Sequence, residues 1–282
     1  MKRERSNDIT VKTLFRQYTV EHVFSSCLDL LDMRKVFLCE SCLSCLATKD
    51  ELREHTEVCP YRYWIPGDEV YRCGKKCCAI FEIDGRKPTS VPFTRRIARI
   101  SKFFLEEKTT LDDLHFFAFL ALFEMDDYGY HFVGYFSKEW RRSVTCDNSL
   151  SCLMVLPPYR SKGYGALLIE LSYEMGRMEG LAGTPERPLS TAGKKIFKRM
   201  WREELLRAIS SLNKRGLPVT ISSLSEESGM TIEDVVVTLS HLNAVVFLTK
   251  QSPLICLPRD IISKVEKNKR INTKSLLWIT LF

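Results

Sequence analysis

Four residues near the start of the sequence have types and spacing that suit a metal ion. Cys39 and Cys42 have two residues between them. Twelve residues then separate Cys42 from His55, and three more separate His55 from Cys59. This is the spacing of tetrahedral zinc ligands, and a site closed by four protein ligands is structural, not catalytic. A helix over residues 48–55 would present the histidine and the last cysteine on one face.

Two other interpretations of these residues stay open. The cysteines could be buried thiols without a metal. They could also bind an iron–sulfur cluster, because Cys45 extends the run to C-x2-C-x2-C. The histidine at zinc-finger spacing favours zinc.

A glycine-rich turn stands between a predicted strand and a predicted helix. Its residues are Arg160, Ser161, Lys162, Gly163, Tyr164 and Gly165. Backbone N–H groups in such a turn can surround a pyrophosphate at the start of a helix. The alternative is a helix start that needs glycine for close packing. A dinucleotide fold is disfavoured because Leu168 stands where a third glycine is required, and the G-K-S/T of a nucleotide P-loop is absent.

Two further side chains could act on a substrate. Glu186 lies in a Gly- and Pro-punctuated loop over 183–188, where a partly desolvated carboxylate could deprotonate a lysine ammonium of pKa ~10.4. The alternative is a solvated surface glutamate. Cys152, on the strand before the glycine-rich turn, could accept an acyl group covalently. We favour the alternative that it is a small apolar residue of a buried strand.

The elements that must position these residues are a set of strands followed by helices. Strands are predicted at 70–73, 78–83, 116–125, 130–137 and 151–156. Helices are predicted at 100–107, from 167 to 175, at 194–212, at 221–228 and after an N-cap at Thr231, with short strands at 245–248 and 254–257. Helix, helix and hairpin predict a winged-helix-like C-terminal unit, which a basic stretch over 264–274 closes.

Composition sets limits on the class of protein. The chain has 282 residues, 42 Lys and Arg against 35 Asp and Glu, and a net charge of +7, compatible with chromatin or nucleic acid. Its longest purely apolar run, 116–123, is too short to span a bilayer, and no signal peptide is recognisable. We therefore expect an intracellular protein without membrane contact, whose eleven cysteines are thiols or metal ligands.

Five short motifs follow the zinc segment in an order that resembles the MYST family of histone acetyltransferases, most of all its Esa1, Tip60 and MOF branch. They read DGRK at 84–87, VGYFSKE at 133–139, LPPY at 156–159, GYG at 163–165 and PERPLS at 185–190. The resemblance covers about residues 35–260. Only 34 residues precede it, which is too few for the chromo-barrel domain of this branch, so we expect other subunits to bring the enzyme to chromatin.

The resemblance implies an α+β fold with a GNAT-like acetyl-CoA-binding core. The predicted parts are an N-terminal extension at 1–34, an N-terminal part at 35–110 with a C2HC zinc finger at 35–62, the catalytic core at 111–192, and a C-terminal helix-turn-helix or winged-helix-like part at 193–282. The implied reaction moves acetyl from acetyl-CoA to lysines of histone tails, those of histone H4 or of the A form of histone H2.

Individual residues take roles from the same resemblance. Glu186 corresponds to the general base, Cys152 to the active-site cysteine, and Lys102 to an autoacetylated lysine. The implied coenzyme A contacts are Leu153, Met154 and Val155 for the pantetheine arm, residues 160–166 for the pyrophosphate, and Ser190. The chain departs from the family loop, which has Gln, Arg and Lys where this sequence has Arg160, Ser161 and Ala166.

The partners implied are histone tails, subunits of a nuclear acetyltransferase complex, and DNA or a nucleosome at the C-terminal part. The expected location is the nucleus. The alternative function is a non-catalytic chromatin- or DNA-binding module built from the zinc finger and the winged helix. The glutamate and the glycine-rich turn, both intact, argue against this alternative.

Overall fold

A computed structural model describes residues 8–20, 35–105, 113–140, 148–249, 252–257 and 271–277. The predicted basic residues at 264–270 lie outside these described ranges. The chain divides into two compact units, the first formed by 1–141, 152–165 and 275–278 and the second by 142–151, 166–274 and 279–282.

The described residues form strands and α-helices in a mixed α+β arrangement, which confirms the predicted fold class at this level. The strands are β1 Ile9–Lys12, β2 Gln17–Val20, β3 Lys35–Leu38, β4 Cys45–Leu46, β5 Asp68–Cys73, β6 Cys78–Asp84, β7 Phe117–Asp126, β8 Gly129–Glu139, β9 Asn148–Leu150, β10 Leu153–Val155, β11 Thr184–Pro185, β12 Val245–Thr249 and β13 Ser252–Ile255. The helices are α1 Lys49–Val58, α2 Val91–Ser101, α3 Tyr164–Met178, α4 Thr191–Lys214, α5 Ile221–Ser228 and α6 Ile232–His241.

The first unit contains a small sheet of strand order β2-β1-β3-β4. β1 pairs antiparallel with β2 and parallel with β3, so Val11 lies opposite both Tyr18 and Val36. Along β1, Ile9 and Val11 are buried while Thr10 and Lys12 are half-buried, as expected for one apolar face. The sequence patterns did not predict β1 or β2.

The larger sheet of the first unit has the order β10-β8-β7-β6-β5, and all its pairings are antiparallel. β7 and β8 form the predicted hairpin, closed where Asp126 faces Gly129. Residues 118–123 are all buried, which explains a run of apolar side chains without alternation. β10 is the last strand at one edge, and it follows Cys152 directly.

The helix predicted at 100–107 is wrong. The helix of this region is α2, which starts at Val91 with Pro92 in its first turn and ends at Ser101. Its buried face includes Phe93, Ile97 and Ile100, but the exposed arginines between them obscure the apolar stripe in the sequence. Residues 102–104 form turns, and residues 106–107 lie outside the described ranges.

The second unit contains most of α3, followed by α4, α5 and α6. The apolar stripes predicted for α3 and α4 are confirmed, with Leu171, Leu205 and Ile209 buried. In α6 the prediction holds only in part, because Val235 and Leu239 are buried whereas Ile232 and Val236 are exposed. The Thr231 side chain caps α6 by accepting a hydrogen bond from the Asp234 N–H, as predicted. β12 and β13 pair as a hairpin, although the second strand lies at 252–255 and not at 254–257. No helix among the described residues combines the length and apolar character needed to cross a membrane.

Candidate functional site

The four predicted metal ligands converge in the first unit. The ligand atoms of Cys39, Cys42, His55 and Cys59 all lie within 4.8 Å of one another. Cys39 Sγ is 3.9 Å from Cys59 Sγ, and Cys42 Sγ is 3.2 Å from His55 Nε2. Zinc–sulfur bonds of ~2.3 Å at tetrahedral angles put two sulfurs ~3.8 Å apart, so this donor set fits zinc.

Local structure explains how the chain brings these ligands together. Between the first two cysteines and β4 the chain makes a tight turn, in which Leu43 takes a φ of 63° and donates its N–H to the Cys39 carbonyl. On the other side, α1 begins at the N-cap Thr48, whose hydroxyl accepts from the Glu51 N–H at 3.2 Å. The helix carries His55 in its last turn and ends before Cys59.

Cys45 is not part of this group. It lies on β4, opposite Leu38, and burial raises its pKa to about 11. Its Sγ is not among the four ligand atoms that lie within 4.8 Å of one another. The geometry therefore favours the four-ligand arrangement.

Cys152 is buried, with 7% of its surface exposed, and it is held by Ser137 of β8. The Cys152 N–H donates to the Ser137 hydroxyl at 3.0 Å, and the Ser137 N–H donates to the Cys152 carbonyl at 2.9 Å. Leu153 and Val155 then pair with Phe136 and Gly134. Gly134 is required here, because a Cβ would lie 2.3 Å from the Met154 carbonyl oxygen.

β10 is an edge strand, and this matters for the predicted pantetheine contacts. In the part of the chain that the structure describes, β10 pairs only with β8. Its second side therefore offers backbone N–H and C=O groups to a ligand that lies along it. Cys152 and Leu156 make backbone hydrogen bonds to β8, so the antiparallel ladder directs the backbone groups of Met154 towards β8 and those of Leu153 and Val155 towards the second side.

The glycine-rich turn contains two residues with positive φ. Ser161 has a φ of 62° and Gly163 a φ of 87°, both in the left-handed region. Left-handed residues in a turn direct neighbouring N–H groups into one concavity, which suits a phosphate. Serine at such a φ is strained, as is common at functional sites. α3 begins at Tyr164, so the last two residues of the turn form the start of the helix.

The charged side chains of the turn, those of Arg160 and Lys162, contact groups outside the turn. Arg160 Nε donates to the Val155 carbonyl at 3.0 Å, and its guanidinium lies 5.2 Å from the centre of the Phe104 ring. Burial lowers the pKa of this guanidinium. Lys162 is exposed, with its Nζ 5.3 Å from the centre of the Tyr159 ring.

Three polar residues that the sequence patterns did not indicate support the same turn. Arg16, between β1 and β2, donates to the Tyr159 hydroxyl, and its guanidinium lies 4.5 Å from the centre of that ring. Arg16 also lies 3.6 Å from carboxylate oxygens of Glu40 and Glu124. Glu124 in turn accepts a 2.5 Å hydrogen bond from the Tyr164 hydroxyl. No local pattern could have found these contacts, because they join distant strands.

Glu186 belongs to the second unit, at the end of β11. Its N–H donates to the Leu150 carbonyl at 2.8 Å, which extends the short parallel pairing of β11 with β9. The side chain is half-buried, neither in the core nor fully exposed. Leu150 stands two positions before Cys152 in the sequence.

The residue after the glutamate anchors this loop. Arg187 makes an ion pair with the buried Asp234 of α6 and lies 5.6 Å from the centre of the Trp201 ring. Burial raises the pKa of Asp234, and the positive charge of Arg187 acts in the opposite direction. Ser190, a predicted coenzyme contact, is the N-cap of α4 and accepts from the Gly193 N–H at 3.1 Å.

Lys102 lies in the first unit, directly after α2. Its N–H donates to the Ala98 carbonyl at 3.2 Å, and its side chain is half-buried between the buried residues Ser101 and Phe103. The Ser101 hydroxyl donates to the Ile97 carbonyl at 2.7 Å and accepts from the Tyr135 hydroxyl at 2.8 Å. The lysine is therefore beside the core but not within it.

Comparison with protein families gives a match over most of the chain. Residues 64–279 match the model of the MOZ/SAS family. The match includes the glycine-rich turn, Cys152 and Glu186, and it begins after the four predicted metal ligands.

Curated relatives are similar over a wider range. A putative MYST-like histone acetyltransferase 1 of Oryza sativa subsp. japonica is 36% identical over 252 residues, which are 88% of this chain and 54% of the relative. Histone acetyltransferase of the MYST family 1 from Arabidopsis thaliana is 39% identical, with coverage of 80% and 48%. A histone acetyltransferase Tip60 homolog of Caenorhabditis elegans is 35% identical, with coverage of 89% and 55%. The chain thus spans about half the length of these relatives.

Proposed function

Because this chain belongs to the MOZ/SAS (MYST) family, we propose that it is a histone lysine acetyltransferase. The acetyl donor is acetyl-CoA, and the acceptor is the ε-amine of a lysine in a histone tail, with histone H4 and the A form of histone H2 as the first candidates. The observation that carries the proposal is the family match over 64–279, which contains both the glycine-rich turn and Glu186. The named activities of the relatives agree with it.

The residues of the first unit suit the donor. The left-handed backbone at Ser161 and Gly163 would receive the pyrophosphate, and the free side of β10 would receive the pantetheine arm. Bound in this way, acetyl-CoA supplies an activated thioester. Ser190, which is the N-cap of α4, would make a further contact with coenzyme A.

Glu186 is the general base of the proposed mechanism. It accepts a proton from the lysine ammonium, which has no lone pair until that proton leaves. The neutral amine attacks the thioester carbonyl carbon, the carbon–sulfur bond breaks, and the leaving thiolate takes up the second proton that the nitrogen loses. The backbone N–H of Leu153, on the free side of β10, donates to the carbonyl oxygen during this step. Cys152 has no covalent role, because transfer occurs directly in a ternary complex.

The remaining parts have supporting functions in this proposal. Cys39, Cys42, His55 and Cys59 hold a structural zinc ion. The larger sheet, β10, the turn and α3 constitute a GNAT-like core, whereas α5, α6, β12 and β13 constitute a winged-helix-like part that contacts DNA or a nucleosome. We propose the domain boundaries given by the sequence, a location in the nucleus, and assembly with further subunits.

A turnover assay tests the proposal. Purified protein is incubated with acetyl-CoA and histones or tail peptides, and acetyl-lysine is identified by mass spectrometry. We expect acetylated lysines with the native chain and far fewer with Glu186→Gln. Specific binding of DNA or nucleosomes by a protein that neither binds acetyl-CoA nor acetylates would instead support the non-catalytic module.

A further inference from the structure

Lys76 lies beside the glycine-rich turn, although 87 positions separate it from Gly163. It belongs to the short 3₁₀ turn at 74–76 that joins β5 to β6. A Cβ placed on Gly163 would be 3.8 Å from the Lys76 Nζ. The same Nζ lies 5.2 Å from the centre of the Tyr164 ring. The ammonium therefore faces the segment of backbone whose N–H groups suit an anion.

The sheet fixes this arrangement. The Tyr164 hydroxyl donates to Glu124 of β7 at 2.5 Å, and Glu124 lies opposite Cys78 in the β6–β7 pairing. Cys78 in turn lies opposite Cys73, next to the 3₁₀ turn. The Tyr164 ring is therefore hydrogen-bonded to β7, and the 3₁₀ turn that carries Lys76 leads into β6, which pairs with β7. One sheet thus holds both residues in place. The attraction between the ammonium and the face of this ring also helps to hold the lysine side chain in one position.

The chemistry of the turn leaves a place for this cation. Ser161 and Ala166 carry no charge, and Arg160 is bonded to the Val155 carbonyl and packed on Phe104. Lys76 is exposed, and within the described residues no carboxylate oxygen lies at ion-pairing distance from its Nζ. A diphosphate needs positive charge as well as N–H donors, because both of its phosphates are ionised at neutral pH.

We infer that Lys76 is a coenzyme-binding residue, whose ammonium pairs with the diphosphate of coenzyme A at the glycine-rich turn. This inference rests on the proposed function, because it assumes that coenzyme A is the ligand. It assigns to the β5–β6 hairpin the charge that Ser161 and Ala166 do not provide. Lys76 thus contributes to the affinity for the donor and not to the transfer step.

Binding titrations without turnover test this inference. Kd is measured by calorimetry for CoA and for 3′-dephospho-CoA, and by competition for pantetheine, which has no diphosphate. We expect Lys76→Gln to weaken CoA and dephospho-CoA equally, by roughly 5- to 10-fold, and to leave pantetheine unchanged. Lys76→Arg should keep most of the affinity. The difference between wild type and Lys76→Gln should shrink as salt is added.

Lys49→Gln is the matched control, because it removes the same charge from an exposed lysine at the start of α1. Equal Kd values for wild type and Lys76→Gln, in a protein that binds CoA, would overturn the inference and leave the proposed function intact. A loss confined to CoA would assign Lys76 to the 3′-phosphate, and an equal loss for pantetheine would make it a structural residue. Either result overturns the inference. A native chain that binds no CoA overturns the proposed function as well.

Discussion

The guanidinium of Arg187 lies 2.5 Å from the carboxylate of Asp234, and only 1% of the Asp234 side chain is exposed. Arg187 directly follows Glu186, so this pair ties the loop of the proposed base to α6. A buried carboxylate that loses its partner keeps the cost of its own desolvation. Loss of this pair should therefore lower the stability of the protein and change the position of the proposed base.

We predict that Arg187→Ala lowers the free energy of unfolding by about 1–3 kcal/mol, because Asp234 is left buried without its cation. Arg187→Lys should recover part of the loss. Denaturant titration gives the stability, and kcat should fall more than KM rises, since the loop positions the base. Arg202→Ala, at an exposed position of α4, is the control and should have neither effect. An Arg187→Ala protein as stable as the native chain would contradict the role assigned to the pair.

Glu186→Gln should lower kcat by ~10²–10⁴-fold with little change in KM, because only the proton acceptor is lost. Activity should partly return at high pH, where a larger fraction of the substrate lysine is already the free amine. Steady-state kinetics across a pH series measures both effects. Glu226→Gln, at an exposed position of α5, serves as the matched control. Native turnover by Glu186→Gln at neutral pH would remove this residue from the mechanism.

Cys152→Ala should keep substantial activity, because direct transfer needs only the packing of this position. Initial rates at varied concentrations of both substrates should give the intersecting lines of a ternary complex. An obligatory acetyl-cysteine predicts the opposite: parallel lines, an acetylated Cys152 after exposure to acetyl-CoA alone, and an inactive alanine variant. Intact-protein mass spectrometry distinguishes these two outcomes.

Elemental analysis should find one tightly bound zinc ion per chain. Cys42→Ser and His55→Ala should lower both the zinc content and Tm, because a structural site couples metal binding to folding. Cys45→Ser is the control and should keep its zinc, since Cys45 lies outside the group of four. Iron with inorganic sulfide, or no metal in a stably folded protein, would disprove the zinc assignment.

Acetyl-Lys102 should be present in active enzyme and much reduced in Glu186→Gln. The lysine is half-buried beside Phe103, where removal of the charge lowers the cost of desolvation. Peptide mass spectrometry of both proteins measures the modification, with the exposed Lys49 as an internal comparison. If a fully active preparation carries only unmodified Lys102, the enzyme does not depend on this modification.

The elements that the sequence predicts well are those whose signals are local. The β7–β8 hairpin has a turn between two apolar runs, and α6 has the N-cap Thr231 before a regular apolar stripe. The helix α2 is predicted too late in the chain because Arg95, Arg96 and Arg99 interrupt its stripe, although Pro92 marks its first turn. β1 and β2 escape prediction because each has four residues and depends on pairing across the chain.

The residues of the candidate site likewise fall into those that local signals predict and those that only the fold brings together. Motifs indicate the four cysteine and histidine ligands, the glycine-rich turn and Glu186, because each depends on short-range spacing or on family resemblance. Arg16, Lys76 and Asp234 act across 143, 87 and 47 positions, respectively, towards Tyr159, Gly163 and Arg187. Contacts at these separations arise from strand order and helix packing, which a single sequence does not reveal.

The parallel pairing of β1 with β3 decides where this protein can be shortened for expression. A fragment that starts at Lys35 retains every predicted ligand and motif, yet it leaves β3 with an unpaired edge that invites aggregation. It also deletes Arg16, which donates to the hydroxyl of Tyr159, the residue immediately before the glycine-rich turn. Poor solubility or weak coenzyme affinity in such a fragment would reflect the missing strands, so the shortest informative fragment begins before Ile9.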